Sequence, residues 1–241
     1  MKTDEHLLPS KSQSWRMFDE ISPRYDLLNR ILSFGLDRAW RRRLNSFLGP
    51  KPNQEALDLA TGTADVLLAL SKNSNIKSGV GVDLADKMLN LGKAKIQKRQ
   101  LDDRLTLQHG DILDLPFPPE SFDIATIAFG IRNVPEPHKV LKEMFRVLRK
   151  GGRALVLEFS LPPSRWLRFL HLFYLRYVVP FIGFLLTGHA RAYRYLNQTI
   201  EDFPFGQEFC SMMLESGFQK VTIHPLTFGI ATIYEGDKLR V

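Results

Sequence analysis

Apolar positions recur along this chain with two periods, one of strands and one of helices. Ala56, Leu57, Leu59 and Ala60 form a short apolar run that ends in Thr61-Gly62-Thr63 and passes into Asp65-Val66-Leu67-Leu68-Ala69-Leu70, a strand, a tight turn and a helix. A second run, Gly79-Val80-Gly81-Val82, stops at Asp83. Residues 87–99 predict a helix, 104–108 and 121–128 two more strands, and 136–148 an amphipathic helix that Lys150-Gly151-Gly152 caps before a fifth strand over 154–159. Residues 217–223 and 229–235 predict two last strands. Pro225 between them leaves no room for a helix, so they close the sheet as an antiparallel hairpin. Strands alternating with helices in this way predict an α/β fold: a doubly wound, mostly parallel, seven-stranded Rossmann-like sheet.

Two stretches fall outside that alternation. Residues 12–45 read as helices separated by Ser22-Pro23 and by Ser33-Phe34-Gly35, with Trp15, Phe18, Tyr25, Phe34 and Trp40 set among arginines. Such a segment serves as a lid over a ligand or packs its aromatics on the sheet. In residues 165–187, Arg165, Arg168 and Arg176 fall within about 80° of each other on a helical projection, beside a face of Trp166, Leu170, Phe173, Tyr174, Tyr177 and Phe181. The charged interruptions leave an uncharged remainder shorter than the ~20 residues a membrane span needs, so the expectation is a helix lying on an anionic bilayer or covering a greasy substrate. The expected organisation is one domain over 1–241, with a helical extension (1–50), a ligand-binding core (51–160) and an amphipathic insertion with the final strands (161–241).

A length of 241 residues, 44% of them hydrophobic and 24% charged, suits one folded α/β unit and argues against disorder. A net charge of +7 points to an anionic partner, nucleic acid or an anionic membrane surface. The single cysteine, Cys210, excludes an internal disulfide framework, and the six histidines have no metal-ligand spacing, so no metal is expected. The polar start Met1-Lys2-Thr3-Asp4-Glu5-His6 lacks the apolar segment of a secretory signal, and the expected location is cytoplasmic, peripheral at the inner face of the cell membrane.

In an open α/β sheet, ligands sit at the carboxyl ends of the strands. There a glycine turn lets backbone approach them, and a carboxylate closing the next strand accepts both ribose hydroxyls. Gly62 and Asp83 occupy those positions, which proposes an adenosine-sized ligand with a free ribose diol. Of the glycines in the looser D-x-G-x-G-x-G pattern only Gly62 is present, between Ala60 and Ala64; an ordinary turn with a chance Asp reads the same way. Asp58 inside an apolar strand weighs against that bland reading. The absence of a Lys after the turn favours a cationic or neutral adenosine over a triphosphate. Asp111, with Ile112, ends the third strand, where an acidic group meets an adenine amino group.

Taken in order, Tyr25-Asp26-Leu27-Leu28-Asn29, Leu32-Ser33-Phe34-Gly35, Trp40-Arg41, Asp58-Leu59-Ala60-Thr61-Gly62-Thr63, Phe129-Gly130-Ile131-Arg132-Asn133-Val134, Glu158-Phe159-Ser160, Tyr193-Arg194-Tyr195-Leu196 and Gly229-Ile230 resemble the ubiquinone/menaquinone biosynthesis C-methyltransferase family, a branch of the S-adenosylmethionine-dependent methyltransferases. The resemblance covers nearly the whole chain. It implies S-adenosylmethionine as cofactor, with Asp58, Gly62, Thr63, Asp83, Asp111 and Ile112 as its contacts: Gly62 and Thr63 against the methionine part, Asp83 on the ribose, Asp111 and Ile112 along the adenine. By the resemblance the family usually has glycine where this chain has Ala64; the added methyl either crowds the turn, with an effect on cofactor affinity, or is tolerated.

It also implies a polyprenyl quinol substrate, with demethylmenaquinol ahead of a benzoquinol. Methyl transfer from a sulfonium is an in-line displacement, for which the protein supplies position and an electron-rich carbon. A reduced quinone becomes that carbon nucleophile when a hydroxyl loses its proton, which requires a base and a positive group beside the developing phenolate. Arg132 is the candidate for that charge, since an arginine stays protonated. Asn133 is the candidate for orienting substrate or water; Tyr193, Tyr195 and His189 stand on the substrate side. A membrane-resident substrate accounts for the amphipathic segment, whose arginines are expected to dock on anionic lipid. A homo-oligomer is compatible with the sequence. An RNA methyltransferase and a non-catalytic quinone- or lipid-binding scaffold are the alternatives; no RNA-binding motif is present, and no nucleic acid is expected.

Overall fold

The computed structural model describes residues 11–187 and 190–240, without the side chains of residues 186–187 and 190–194. Seven strands, β1 (Gln54–Leu59), β2 (Ile76–Asp83), β3 (Leu105–His109), β4 (Phe122–Ala128), β5 (Leu148–Phe159), β6 (Lys220–Leu226) and β7 (Ala231–Asp237), form one sheet in the order β3-β2-β1-β4-β5-β7-β6. The first five are mutually parallel, and β7 runs antiparallel to both its neighbours. The order reverses between β1 and β4, the place where an open sheet leaves a crevice at its carboxyl edge. Helices cover both faces, so the inner strands read as continuous apolar runs. Leu57 and Ile127 pack with Val140, Met144 and Phe209 on one side, and Ala56 and Ile124 with Trp40, Leu44 and Leu70 on the other.

Helix α1 (Ser14–Leu32) differs from expectation by passing through Pro23 without a break. Pro23 has no N–H for the Asp19 carbonyl, but the Ser22 hydroxyl donates to that oxygen at 2.8 Å, so the carbonyl keeps a partner. The break comes only at Ser33-Phe34-Gly35, before α2 (Leu36–Arg43). Helix α1 is tied to the sheet side by Thr63, whose hydroxyl donates to Asp26 at 2.7 Å, and by Lys95, which reaches Asp26, Asp65 and the Thr63 hydroxyl. Lys95 lies on α4 (Asp86–Lys98), and Asp65 opens α3 (Asp65–Leu70).

A second difference concerns Lys150-Gly151-Gly152. Helix α5 (Pro137–Val147) ends without it, and the glycines belong to β5. Gly151 has φ +80° and its N–H donates to Lys238 O, while the Lys238 N–H donates to Gly152 O. The pair is a bulge that shifts register against β4 and keeps β5 paired with the end of the chain. The last two strands begin two or three residues later than expected, and Pro225 lies within β6, an edge strand where a missing N–H costs no ladder bond.

The amphipathic segment is a helix throughout: α6 (Arg165–Phe173), a π-helical turn (Tyr174–Val178) and α7 (Val179–Thr187). The uncharged remainder, 177–187, is as short as expected, but the helix that contains it is longer. Residues 165–185 are long and apolar enough to cross a membrane by length and composition, and 22% of that window is buried. The inward face is committed to the protein: Leu175 and Val179 pack on Leu28 and Ile200, and the Tyr174 hydroxyl donates to Leu32 O at 2.9 Å. Two further helices, α8 (Ala190–Asp202) and α9 (Gln207–Glu215), precede β6.

Candidate active site

Two cavities open at the carboxyl edge of the sheet. The more polar one, about 190 Å³, is lined by Gly62, Asp83, Met88, Asp111 and Ile112, with Trp15 and Phe18 of α1 above them. Asp83 Oδ2 accepts the Gly62 N–H at 2.8 Å and Oδ1 accepts the Ala85 N–H at 2.9 Å. Burial raises the Asp83 pKa against these backbone bonds. Each oxygen keeps a further lone pair, enough for a diol. Gly62 has φ +55°; a side chain there would meet only Met88 at 3.7 Å, so the requirement for glycine is backbone conformation and not space. Asp111 Oδ1 accepts the Leu113 N–H at 2.9 Å at the mouth of the cavity.

Asp58 and Thr63 do not line this cavity. Asp58 lies beneath it, 1% exposed, and accepts the Thr61 and Thr126 hydroxyls at 2.7 and 2.6 Å, which fastens the turn to β4. Burial pushes its pKa up to about 7, with the threonine hydroxyls and Arg41 opposing. Thr63 ties the turn to α1 as described. Ala64 has φ 64° and ψ 20°, and its methyl sits in the core with Leu67, Leu89 and Leu107. It is not part of the cavity's lining.

The second cavity, about 320 Å³, is walled chiefly by apolar groups of α1, α2, α6 and the helix after it. Phe18, Tyr25, Phe129 and Asn133 line both cavities, so the two meet at the end of β4. Phe129 has φ 58°, a conformation costly for a bulky residue, and strain of this kind clusters at functional sites. The turn turns the Phe129 carbonyl toward Arg132 and Asn133, accepting from Arg132 Nη1 at 2.6 Å and Asn133 Nδ2 at 3.3 Å. Arg132 Nη1 also donates to Glu158 Oε1 at 2.7 Å, and both side chains are almost fully buried. Burial raises the Glu158 pKa, and the Arg132 charge opposes that rise.

Arg132 Nε and Asn133 Oδ1 are buried and have no partner among the described residues. A second buried pair, Arg41 with Asp37 at 2.8 Å, stands in the same cavity, with the Arg41 guanidinium 5.2 Å from the Phe129 ring centre. Tyr25 lines the same cavity; burial raises its pKa, with Arg41, Asn29 and Arg132 opposing. Tyr195 lines the cavity, whereas the Tyr193 side chain and all of His189 lie outside the described residues.

The residues expected at the site thus separate into groups. Gly62, Asp83, Asp111 and Ile112 come together in one cavity, Asn133 stands at its junction with the other, Arg132 beside it lines that other cavity, and Asp58 and Thr63 support the turn from outside. Tyr25, Asp37, Arg41, Glu158 and His171 enter the site without having been singled out as functional. For Glu158 a signal existed: it is a carboxylate inside the apolar run Ala154-Leu155-Val156-Leu157-Glu158-Phe159.

Residues 9–238 match the ubiE/COQ5 methyltransferase family. The chain belongs to that family. It is 45% identical to the ubiquinone/menaquinone biosynthesis C-methyltransferase UbiE of Geotalea daltonii over 92% of this chain and 94% of that protein. It is also 45% identical to the demethylmenaquinone methyltransferase of Thermus thermophilus, over 92% of this chain and 100% of that protein. The fold is that of a SAM-dependent methyltransferase from Thermotoga maritima, with a TM-score of 0.65 at 18% identity over 93% of this chain and 99% of that one. Membership makes the protein a methyltransferase whose methyl donor is S-adenosylmethionine, and it does not favour the RNA-modifying or scaffold alternatives. The polar cavity suits that donor by its own chemistry: carboxylate oxygens with free lone pairs for a ribose, and an apolar wall of Met88 and Ile112 for a base.

Proposed function

We propose that this family member methylates a ring carbon of a polyprenylated quinol, with demethylmenaquinol as the preferred acceptor. The observation that carries the reading is the meeting of a polar and a larger apolar cavity at Phe18, Tyr25, Phe129 and Asn133. When bound, S-adenosylmethionine supplies an electrophilic methyl group. In this reading Asp83 holds the ribose, Gly62 lets the turn approach the cofactor, and Asp111 with Ile112 flanks the adenine. Asp58 and Thr63 act on it only through the turn. In the apolar cavity Asn133 Oδ1 accepts the hydrogen bond of the ring hydroxyl next to the reacting carbon. Arg132 Nε–H donates to that oxygen as its charge grows, the hydroxyl proton passing to an ordered water that acts as the base, and Glu158 fixes the guanidinium for the task. The α1 segment acts as the lid that excludes water from both cavities.

Transfer of labelled methyl to reduced demethylmenaquinone, with a benzoquinol analogue and total RNA as parallel acceptors, tests this. Label in the naphthoquinol is expected; label in RNA alone overturns the reading.

The proposed route to the substrate is the outer face of α6 and α7, where Trp166, Phe169, Phe173, Tyr177, Phe181 and Phe184 are all more than half exposed. A helix with this face wet and its other face packed suits lying in the interfacial plane of an anionic bilayer. The arginines expected to dock do not contribute equally. Arg176 pairs with Glu201, and Arg168 Nε donates to Pro162 O at 2.9 Å, whereas Arg165 stands exposed on the first turn. Co-sedimentation with anionic vesicles is therefore expected to weaken strongly in Trp166→Asp/Phe181→Asp, less in Arg165→Glu and least in Arg176→Glu. Unchanged binding of the double variant would remove this surface from the proposal.

A further inference from the structure

Helix α6 presents one polar side chain to the apolar cavity: His171, set with Leu167, Leu170, Tyr174 and Leu175 in its wall. The side chain is 9% exposed, and its Nε2 is buried with no partner among the described residues. Burial lowers its pKa, so the ring is neutral at pH 7 and Nε2 serves as a donor or an acceptor according to its tautomer. A buried imidazole without a partner destabilises a fold, and a leucine would satisfy the same helix face at no such cost. A prenyl chain offers that nitrogen nothing. A ring hydroxyl does.

The quinol the enzyme is proposed to bind has two hydroxyl groups, para to one another, and only one of them adjoins the reacting carbon. Arg132 and Asn133 stand where the cavity meets the cofactor side, on the element after β4; His171 belongs to a different element, the helix that roofs the apolar cavity. The polar atoms without partners in this cavity thus fall into two groups: Arg132 Nε and Asn133 Oδ1 with the Tyr195 hydroxyl of α8, whose phenol feels the Arg132 charge, and His171 Nε2 on the roofing helix. We infer that His171 Nε2 binds the hydroxyl para to the one held at Arg132 and Asn133, and by doing so sets which edge of the ring faces the methyl donor. This rests on the quinol reading above. His171 is a positioning and specificity residue here; no proton need leave through it.

The test is a cycle between protein and substrate, with a short-prenyl demethylnaphthoquinol and the matching mono-hydroxy naphthol that lacks the distal hydroxyl as acceptors. Wild-type enzyme is expected to prefer the diol by about tenfold or more in kcat/KM, the effect of one buried hydrogen bond. His171→Phe should lose that preference, with KM for the diol rising more than kcat falls and the mono-ol handled as by wild type. His171→Gln, which keeps a polar atom near Nε2, should retain part of it. The thermal midpoint of His171→Phe should equal or exceed that of wild type, which a structural histidine would not allow. Should the phenylalanine variant not fold, the imidazole nitrogen-15 resonance of wild-type His171 decides: it should move on adding the diol and stay on adding the mono-ol. An unchanged preference in His171→Phe, or a resonance equally affected by both acceptors, overturns the inference while leaving quinol methylation standing. Absence of label in either acceptor with wild-type enzyme overturns the function and the inference with it.

Discussion

The two cavities that meet at Phe129 are built on opposite plans. The polar one takes its floor from one stretch of chain, the end of β1 through the loop after β3, and is closed by α1 and the turn after β4; its carboxylates are already engaged: Asp83 by Gly62 and Ala85, Asp111 by Leu113, Asp58 beneath by two threonines. The apolar one gathers α1, α2, the turn after β4, the end of β5 and α6 to α8, and it leaves Arg132 Nε, Asn133 Oδ1, His171 Nε2 and the Tyr195 hydroxyl without partners among the described residues. A cavity of the first kind is preorganised by its own hydrogen bonds and suits a ligand whose shape never varies. One of the second kind keeps its polar atoms in reserve for the substrate.

The largest expected effect comes from breaking the junction on its substrate side. Arg132→Ala should lower methyl transfer by about a thousandfold if Arg132 faces the developing phenolate. It should also destabilise the fold by roughly 3–5 kcal/mol, because Glu158 remains buried without its cation. Urea unfolding and single-turnover assays separate the two effects. The double variant Arg132→Met/Glu158→Leu should recover stability and not turnover, while affinity for S-adenosylmethionine stays near that of wild type throughout. Recovery of both would make the pair a structural one.

On the other side of the junction, Asp83→Ala should weaken cofactor affinity by about a hundredfold, two charge-assisted hydrogen bonds being worth about 3 kcal/mol together. It also unpairs the Gly62 and Ala85 amides. Titration calorimetry with cofactor reads the loss, and quinol analogue binding should be nearly untouched. Equal losses of both ligands would mean that the cavities are not the separable units described here.

The same contrast decides what could be read from the sequence. The turn at Gly62 and the strand-end Asp83 are local features, tied to a pattern of apolar runs that any parallel sheet repeats, so their positions and their meeting were legible. Arg132 and Asn133 were legible as a polar group after a strand. His171, Tyr25 and the Asp37–Arg41 pair lie on helices whose periodicity says only that one face is buried. What that face covers depends on packing among segments more than a hundred residues apart, and single-chain periodicity carries none of that. Pro23 misled because the compensating donor is a side chain, and Gly151-Gly152 misled because a bulge and a helix cap use the same residues.

A smaller effect, and a pH-dependent one, comes from Asp58. Its pKa is raised to about 7 in the folded protein by burial, whereas in the unfolded chain it returns to the ordinary carboxylate range. Between about pH 4 and pH 7 the unfolded chain is ionised there and the folded protein is not. Stability from this group is therefore complete below that window and is lost as pH rises through it, by at most about 1.4 kcal/mol per pH unit. Asp58→Asn should flatten the profile and exceed wild type in thermal midpoint at pH 8, while the turn keeps an acceptor for one threonine. Cofactor affinity should change little, since Asp58 supports the cradle from below. A variant less stable than wild type at pH 8 would mean that burial does not raise the Asp58 pKa in the folded protein.

The smallest effect is expected at Ala64, where the resemblance leads us to expect glycine. Its left-handed backbone, φ 64°, costs a non-glycine residue about 1 kcal/mol. Ala64→Gly relieves that strain but empties a fully buried methyl site and frees the unfolded chain, so the two nearly offset and the midpoint should move by less than the equivalent of about 1 kcal/mol. The methyl packs toward α4, where a Cβ built on Gly92 would lie 3.3 Å from it, and the residue is not part of the cofactor cavity's lining. Affinity for S-adenosylmethionine should therefore stay within about twofold of wild type, or some 0.4 kcal/mol. A tenfold gain on restoring glycine would show that the methyl reaches the ligand indirectly, by tilting the Gly62 peptide whose N–H Asp83 holds, and would make the preorganised cavity less rigid than its hydrogen bonds imply.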